Sequence, residues 1–151
     1  MLVLALVIGI VAGMRAMMAP AAIAWAAAIG IVPLQGTWLA VLGWRFTPWI
    51  LSALAAGELV TDQLPSTPSR LVPPQFGVRI VTGGISGAAV GYPLGSPLVG
   101  SALGGIGAVL GTLGGARLRT RLAATFGRDQ PAAVIEDLSA IALATLVVAL
   151  L

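Results

Sequence analysis

The stretch that decides the fold is residues 2–34, LVLALVIGIVAGMRAMMAPAAIAWAAAIGIVPL, in which Arg15 is the only charged side chain. A helix that crosses a bilayer needs roughly 20 predominantly apolar residues. This run is too long for one upright crossing and too short for two full ones. Gly13 and Pro20 flank the arginine. Two forms fit: one long tilted or kinked helix, or two half-helices that meet near Arg15. The start resembles the apolar part of a cleaved leader, but no positive segment precedes it and Arg15 lies on its wrong side.

The rest of the chain follows the same chemistry. Of 151 residues, 58% are hydrophobic and 9% charged, with a mean hydropathy of +1.03. Soluble domains run near 45–50% apolar with roughly a quarter charged. The composition excludes a disordered chain, an enzyme with an ordinary water-facing surface and a nucleic-acid binder working in water. Cys, His and Lys are absent. That removes disulfides, zinc or haem sites on those ligands, histidine catalysis and Schiff-base chemistry. No cofactor and no metal is implied. The pI of 11.2 comes from eight arginines at a net charge of only +3, which reads as the arginine bias of cytoplasmic loops.

Working outward, the expected architecture is an all-α polytopic membrane bundle of about five spans, a single domain over residues 1–151. After the broken or re-entrant first stretch, a segment with Trp38, Trp44 and Trp49 beside Arg45 and Pro48 suggests an interfacial belt. A second crossing is expected over 49–62, then a proline-rich loop over 63–76. The third is expected over 77–92, a tight turn between Pro93 and Pro97, the fourth over 98–116, and the last over 131–151. Arg117, Arg119, Arg121 and Arg128 are assigned to a polar connection. Placing that connection inside also puts Arg70 and Arg79 inside, so six of eight arginines lie on the cytoplasmic side. Arg45 is left outside, and Arg15 lies within the first stretch.

Glycines recur every four residues at Gly83, Gly87, Gly91 and Gly95, and again at Gly107, Gly111 and Gly115. Small residues at this spacing let two membrane helices approach backbone to backbone. The two rows are expected to face each other in an antiparallel hairpin as glycine-rich packing seams. Arg79 precedes the first row by four and Arg119 follows the second by four, so both reach the cytoplasmic end. Plain packing glycines with arginines as topology anchors are the alternative. Gly105-Ile-Gly107 lacks the third glycine of a dinucleotide fingerprint and any strand before it.

Four of five carboxylates, Glu58, Asp62, Glu136 and Asp137, lie inside or at the ends of apolar segments. An ionisable group in a span costs about 2.5–3.5 kcal/mol on insertion scales and turns towards a partner or a cavity. Glu58 and Asp62 are four apart and share a helix face. Arg15 and Arg79 are the cations expected to meet Glu58, Asp62, Glu136 and Asp137. The cluster is read either as a binding site for an ion or polar substrate or as a structural ion-pair network. A weak repeat, Gly13-Met-Arg15 and Gly115-Ala-Arg117, each after an apolar helix, suggests inverted repeats.

These residues resemble a family of small bacterial multi-spanning proteins, domain of unknown function 4126. The resemblance rests on Gly13-Met-Arg15 with Pro20, on Glu58-x-x-x-Asp62-x-x-Pro65, on Arg79-x-x-x-Gly83 and on Glu136-Asp137. Gln63 stands where the family carries a lysine. The resemblance implies an integral membrane protein in which these charged residues act as a unit, and it supplies no substrate.

Three functions from different classes follow. The first is a transporter or channel for an ion or small polar solute, working as a homo-oligomer, with a dimer favoured. The second is a structural or assembly protein whose charges only lock helices. The third is an enzyme acting on a phospholipid-type substrate, with carboxylates holding Mg²⁺. The expected partners are the lipid bilayer and further copies of the chain, not nucleic acid, and the expected place is the inner membrane.

Overall fold

The computed structural model describes residues 2–62 and 71–151. The regular elements are helical: α1 (Leu2–Met14), α2 (Met18–Ala28), α3 (Thr47–Thr61), α4 (Pro73–Gly91), α5 (Pro97–Phe126) and α6 (Asp129–Leu150). Short 3-10 turns occupy Trp38–Gly43 and Tyr92–Leu94, and no strand occurs among the described residues. Two helices, α5 and α6, are long and apolar enough to cross a membrane. The helices α1 and α2 are apolar but short.

The 2–34 run resolves into two helices. Pro20 has no N–H to return to the carbonyl of Ala16, and its ring crowds that oxygen. Of a kink and a break the chain takes the break: α1 stops at Met14, and α2 begins at Met18 with Pro20 in its first turn. The Gly115-Ala-Arg117 segment behaves differently, because no proline follows it before Pro131. There α5 continues unbroken, so the two halves of the suspected repeat are not alike in shape.

Two expected boundaries are corrected. Pro73 and Pro74 occupy the first turn of α4, where a missing N–H is harmless. Residues 73–76 are thus helix rather than loop, while 63–70, with Arg70, lie outside the described residues. At the other end, α5 runs to Phe126 instead of 116, so Arg117, Arg119 and Arg121 ride on a helix and not in a polar connection. It stops where Gly127 takes φ +65°, a left-handed turn that costs other residues a Cβ clash.

The core is a seam of three backbones. Against α4, Gly83 meets Gly104 and Ala108, Gly87 meets Gly100 and Gly104, and Gly91 meets Ser96 and Gly100. Against α1, Gly107 meets Leu6 and Gly9, and Gly111 meets Ile10. A Cβ on Gly83 would lie 2.7 Å from the Gly104 carbonyl oxygen, closer than packed atoms tolerate. The two glycine rows therefore do not face each other. The row at Gly83, Gly87 and Gly91 packs on the first half of α5, while Gly107 and Gly111 turn to α1. Gly115 is buried, and Gly95 is no part of a row, ending the 3-10 turn at φ +67°.

These contacts also fix direction. Residue numbers rise together along α1 and α5, which are parallel, and run oppositely along α4 and α5. The α2 helix is antiparallel to α3, with Met17 beside Glu58 and Trp25 beside Ser52. The α1–α2 pair is thus a hairpin whose corner, at Arg15, Ala16 and Met17, lies level with the α3 C-terminus.

Charged side chains are enclosed within a mainly apolar core, while large apolar side chains stand exposed. Arg15 and Arg79 head the largest fully buried side chains. Leu98, Ile106 and Leu110 on α5, with Leu138 and Leu146 on α6, face outward. Trp38, Trp44 and Trp49 are exposed together near the 3-10 turn that follows α2.

Candidate functional site: a buried ionic layer at a helix break

Breaking a helix leaves carbonyls at one end and N–H groups at the other without intrahelical partners. Here both ends lie inside the protein, and charged side chains meet the groups nearest the break. The Gly13 carbonyl accepts from Arg79 Nη1 at 2.8 Å and from Thr112 Oγ1 at 3.1 Å, and the Met14 carbonyl accepts from Arg79 Nη1 at 2.7 Å. On the other side of the break, Ala16 N–H donates to Glu58 Oε1 at 2.8 Å and Met17 N–H to Glu58 Oε2 at 2.9 Å. A cation thus closes the negative end of α1 and an anion the positive end of α2, each the sign that the helix dipole favours. Arg79 Nη2 and Glu58 Oε1 join at 3.3 Å, so the two caps form an ion pair across the break.

The residue at the corner is itself charged. Arg15 donates from Nε to Asp137 Oδ1 at 2.8 Å, again from Nη2 to the same oxygen, and from Nη1 to Asp62 Oδ2. Its side chain is 1% exposed. One guanidinium therefore ties the α1–α2 corner to the end of α3 and to the third turn of α6. Bonds of this kind, with both partners ionised, are roughly twice as strong as neutral ones.

Arg119 completes the layer. It contacts Asp62 at 3.3 Å, Glu136 at 3.7 Å and Asp129 at 2.5 Å. All six charged residues singled out in the sequence, Arg15, Glu58, Asp62, Arg79, Glu136 and Asp137, belong to this one network or to the pair that adjoins it. Arg119 and Thr112 belong with them but carried no site assignment. For Arg119 the available signal was its place four residues after Gly115, together with an acidic first turn on the next helix at Asp129. Thr112 has no sequence signal, because a hydroxyl in an apolar helix most often bonds its own backbone, as Thr112 also does to Ala108. Among the described residues, no group of three carboxylates is arranged to hold a metal ion.

Beside the layer, α2, α3 and α6 frame an open, largely apolar groove of about 400 Å³. Its floor is Ala21 and Ala22 of α2, and its walls include Ala55 and Leu59 of α3 and Ile141 of α6. Trp25 closes one side, held by a bond from Nε1 to Ser52 at 3.0 Å and set edge-on to Trp49 at 5.0 Å. No family model matches the chain, and no curated protein or solved structure is similar to it at a level that indicates relatedness.

Proposed function

We propose that this chain is a small multi-pass protein of the inner membrane that passes an ion or small polar solute through its charged layer, as a transporter or channel. The observation that carries the reading is the buried break between α1 and α2, with Arg79 on one helix end and Glu58 on the other. Discontinuous helices whose ends face a charged centre are how transporter folds present dipoles and polar backbone to ions inside lipid. The outward leucines and inward arginines suit a hydrocarbon surround. In that setting α5 and α6 each span, α4 adds a third long helix, and the short α1–α2 hairpin and α3 reach the layer from one side. The Arg117, Arg119, Arg121 and Arg128 end then faces the cytoplasm, and a homodimer remains the proposed assembly.

The test is ion flux into liposomes, with potassium, chloride and protons measured separately, comparing wild type with Glu58→Gln and Arg15→Gln at matched insertion. Loss of one flux in both variants is expected. Indistinguishable flux in all three proteins removes the pathway.

One observation favours a second reading. The guanidinium groups of Arg15, Arg79 and Arg119 are all bonded to protein acceptors, which suits a structural lock holding a partner. Stoichiometric co-purification of one partner with no flux supports that alternative.

A further inference from the structure

The groove and the layer are continuous along two helices. On α3 the lining residues Ala55 and Leu59 lead, one turn on, to Asp62. On α6 the lining residue Ile141 follows Asp137 by four, on the same face. Carboxylates therefore stand at the foot of an apolar trough that rises about 16 Å from Asp137 to Val148 at 1.5 Å per residue.

Asp137 is asymmetrically bonded. Both hydrogen bonds from Arg15 go to Oδ1, and Oδ2 accepts none from the described residues. The side chain is 12% exposed, so this oxygen is reachable while the arginine beside it is enclosed. Asp137 sits one turn below the lining residue Ile141, so its open oxygen offers negative charge, and not an orphaned acceptor, at the foot of the groove.

We infer that the groove between α2, α3 and α6 binds an amphiphilic organic cation, an alkylammonium, with its chain along the α2 alanines and its ammonium at Asp137. Charge decides the occupant. A fatty-acid or anionic-lipid head would be repelled by the Asp62 and Asp137 carboxylates, while a neutral chain brings no charge to meet them. The inference rests on the transport reading and gives it a substrate class.

The experiment uses the full chain in phosphatidylcholine nanodiscs titrated with decyltrimethylammonium, decylammonium, decanol and decanoate, read by tryptophan fluorescence. Both cations are expected to give a saturable change that disappears in Trp25→Phe. Binding should weaken at least tenfold in Asp137→Asn and vanish in Ala56→Phe, which fills the groove from a lining position outside the ionic layer. The second variant keeps the test decisive if Asp137→Asn fails to fold. Decanol binding as tightly as the cations, or cation binding untouched by Ala56→Phe, overturns the inference. Absent cation binding alongside Glu58-dependent flux of inorganic ions also overturns it and leaves the transport reading standing. Cation binding without flux of inorganic ions or of decylammonium keeps the binding site and overturns the transport reading.

Discussion

The helices α1, α4 and α5 meet through glycine, whereas α3 and α6 are drawn to α2 and to the corner at Arg15 through side chains. In the first region backbone touches backbone at Gly9, Gly83, Gly87 and Gly104, and charge enters only at one end, where Arg79 meets the last carbonyls of α1. In the second, the contacts include an indole on a hydroxyl, a carboxylate on two N–H groups and one arginine shared by two aspartates. The difference separates a part held by shape from a part held by ionisable groups. The groove lies wholly in the second part, where a ligand can shift helices without disturbing the seam.

The sharpest way to break this division is Arg15→Met. It leaves Asp62 and Asp137 without their shared cation in a buried setting, and losing one partner of a buried pair costs about 3–5 kcal/mol. The expected result is early loss of the α2–α3–α6 side on denaturant titration in detergent, with hydrogen exchange in α5 preserved. If α5 exchanges as early as α3, the two regions are one cooperative unit.

Gly104→Ala probes the other region. Its Cβ would sit 2.9 Å from the Gly83 carbonyl carbon and 3.0 Å from Gly87 Cα. Overpacking against backbone costs about 3 kcal/mol at the upper end of its usual range. A lowered midpoint of unfolding is expected, with all helices lost together.

Glu58→Gln is a milder cut. One of the N–H groups of Ala16 and Met17 loses its acceptor to an NH₂ group, and the pairing with Arg79 loses its charge. A loss of about 1.5–3 kcal/mol is expected for a hydrogen bond to a charged group. It should appear as faster exchange at the start of α2.

The smallest effect has the opposite sign. Gly114 and Gly57 have open space where a Cβ would stand, so Gly114→Ala and Gly57→Ala should each stabilise by about 0.5–1 kcal/mol. Destabilisation at Gly114 would mean that the seam extends further along α5 than its neighbours suggest.

Much of this was legible in the sequence, because lipid-like composition makes every charge informative. Arg15, Glu58, Asp62, Arg79, Glu136 and Asp137 stood out by residue type alone, and the break near Arg15 was one of two readings that Pro20 permits. The partner of each glycine row was not legible. Spacing reports the face of one helix but not its register against another, so Gly107 and Gly111 were matched to α4 instead of α1. The length of α5 was misread because three arginines within five residues look like a solvated turn, although Gly127 marks the true stop. Asp129 and Arg119 meet across that turn, a contact that exists only once α5 is extended to Phe126.

The seam has a consequence for how such a chain is made. Synthesis delivers α1 well before the surfaces it rests on, Gly104 to Thr112 of α5. At 13 residues, or about 20 Å, α1 is shorter than the roughly 30 Å hydrocarbon layer and is followed at once by Arg15. Made well ahead of its partner, α1 cannot settle by itself, and insertion has to tolerate an unfinished α1–α2 hairpin until α5 arrives.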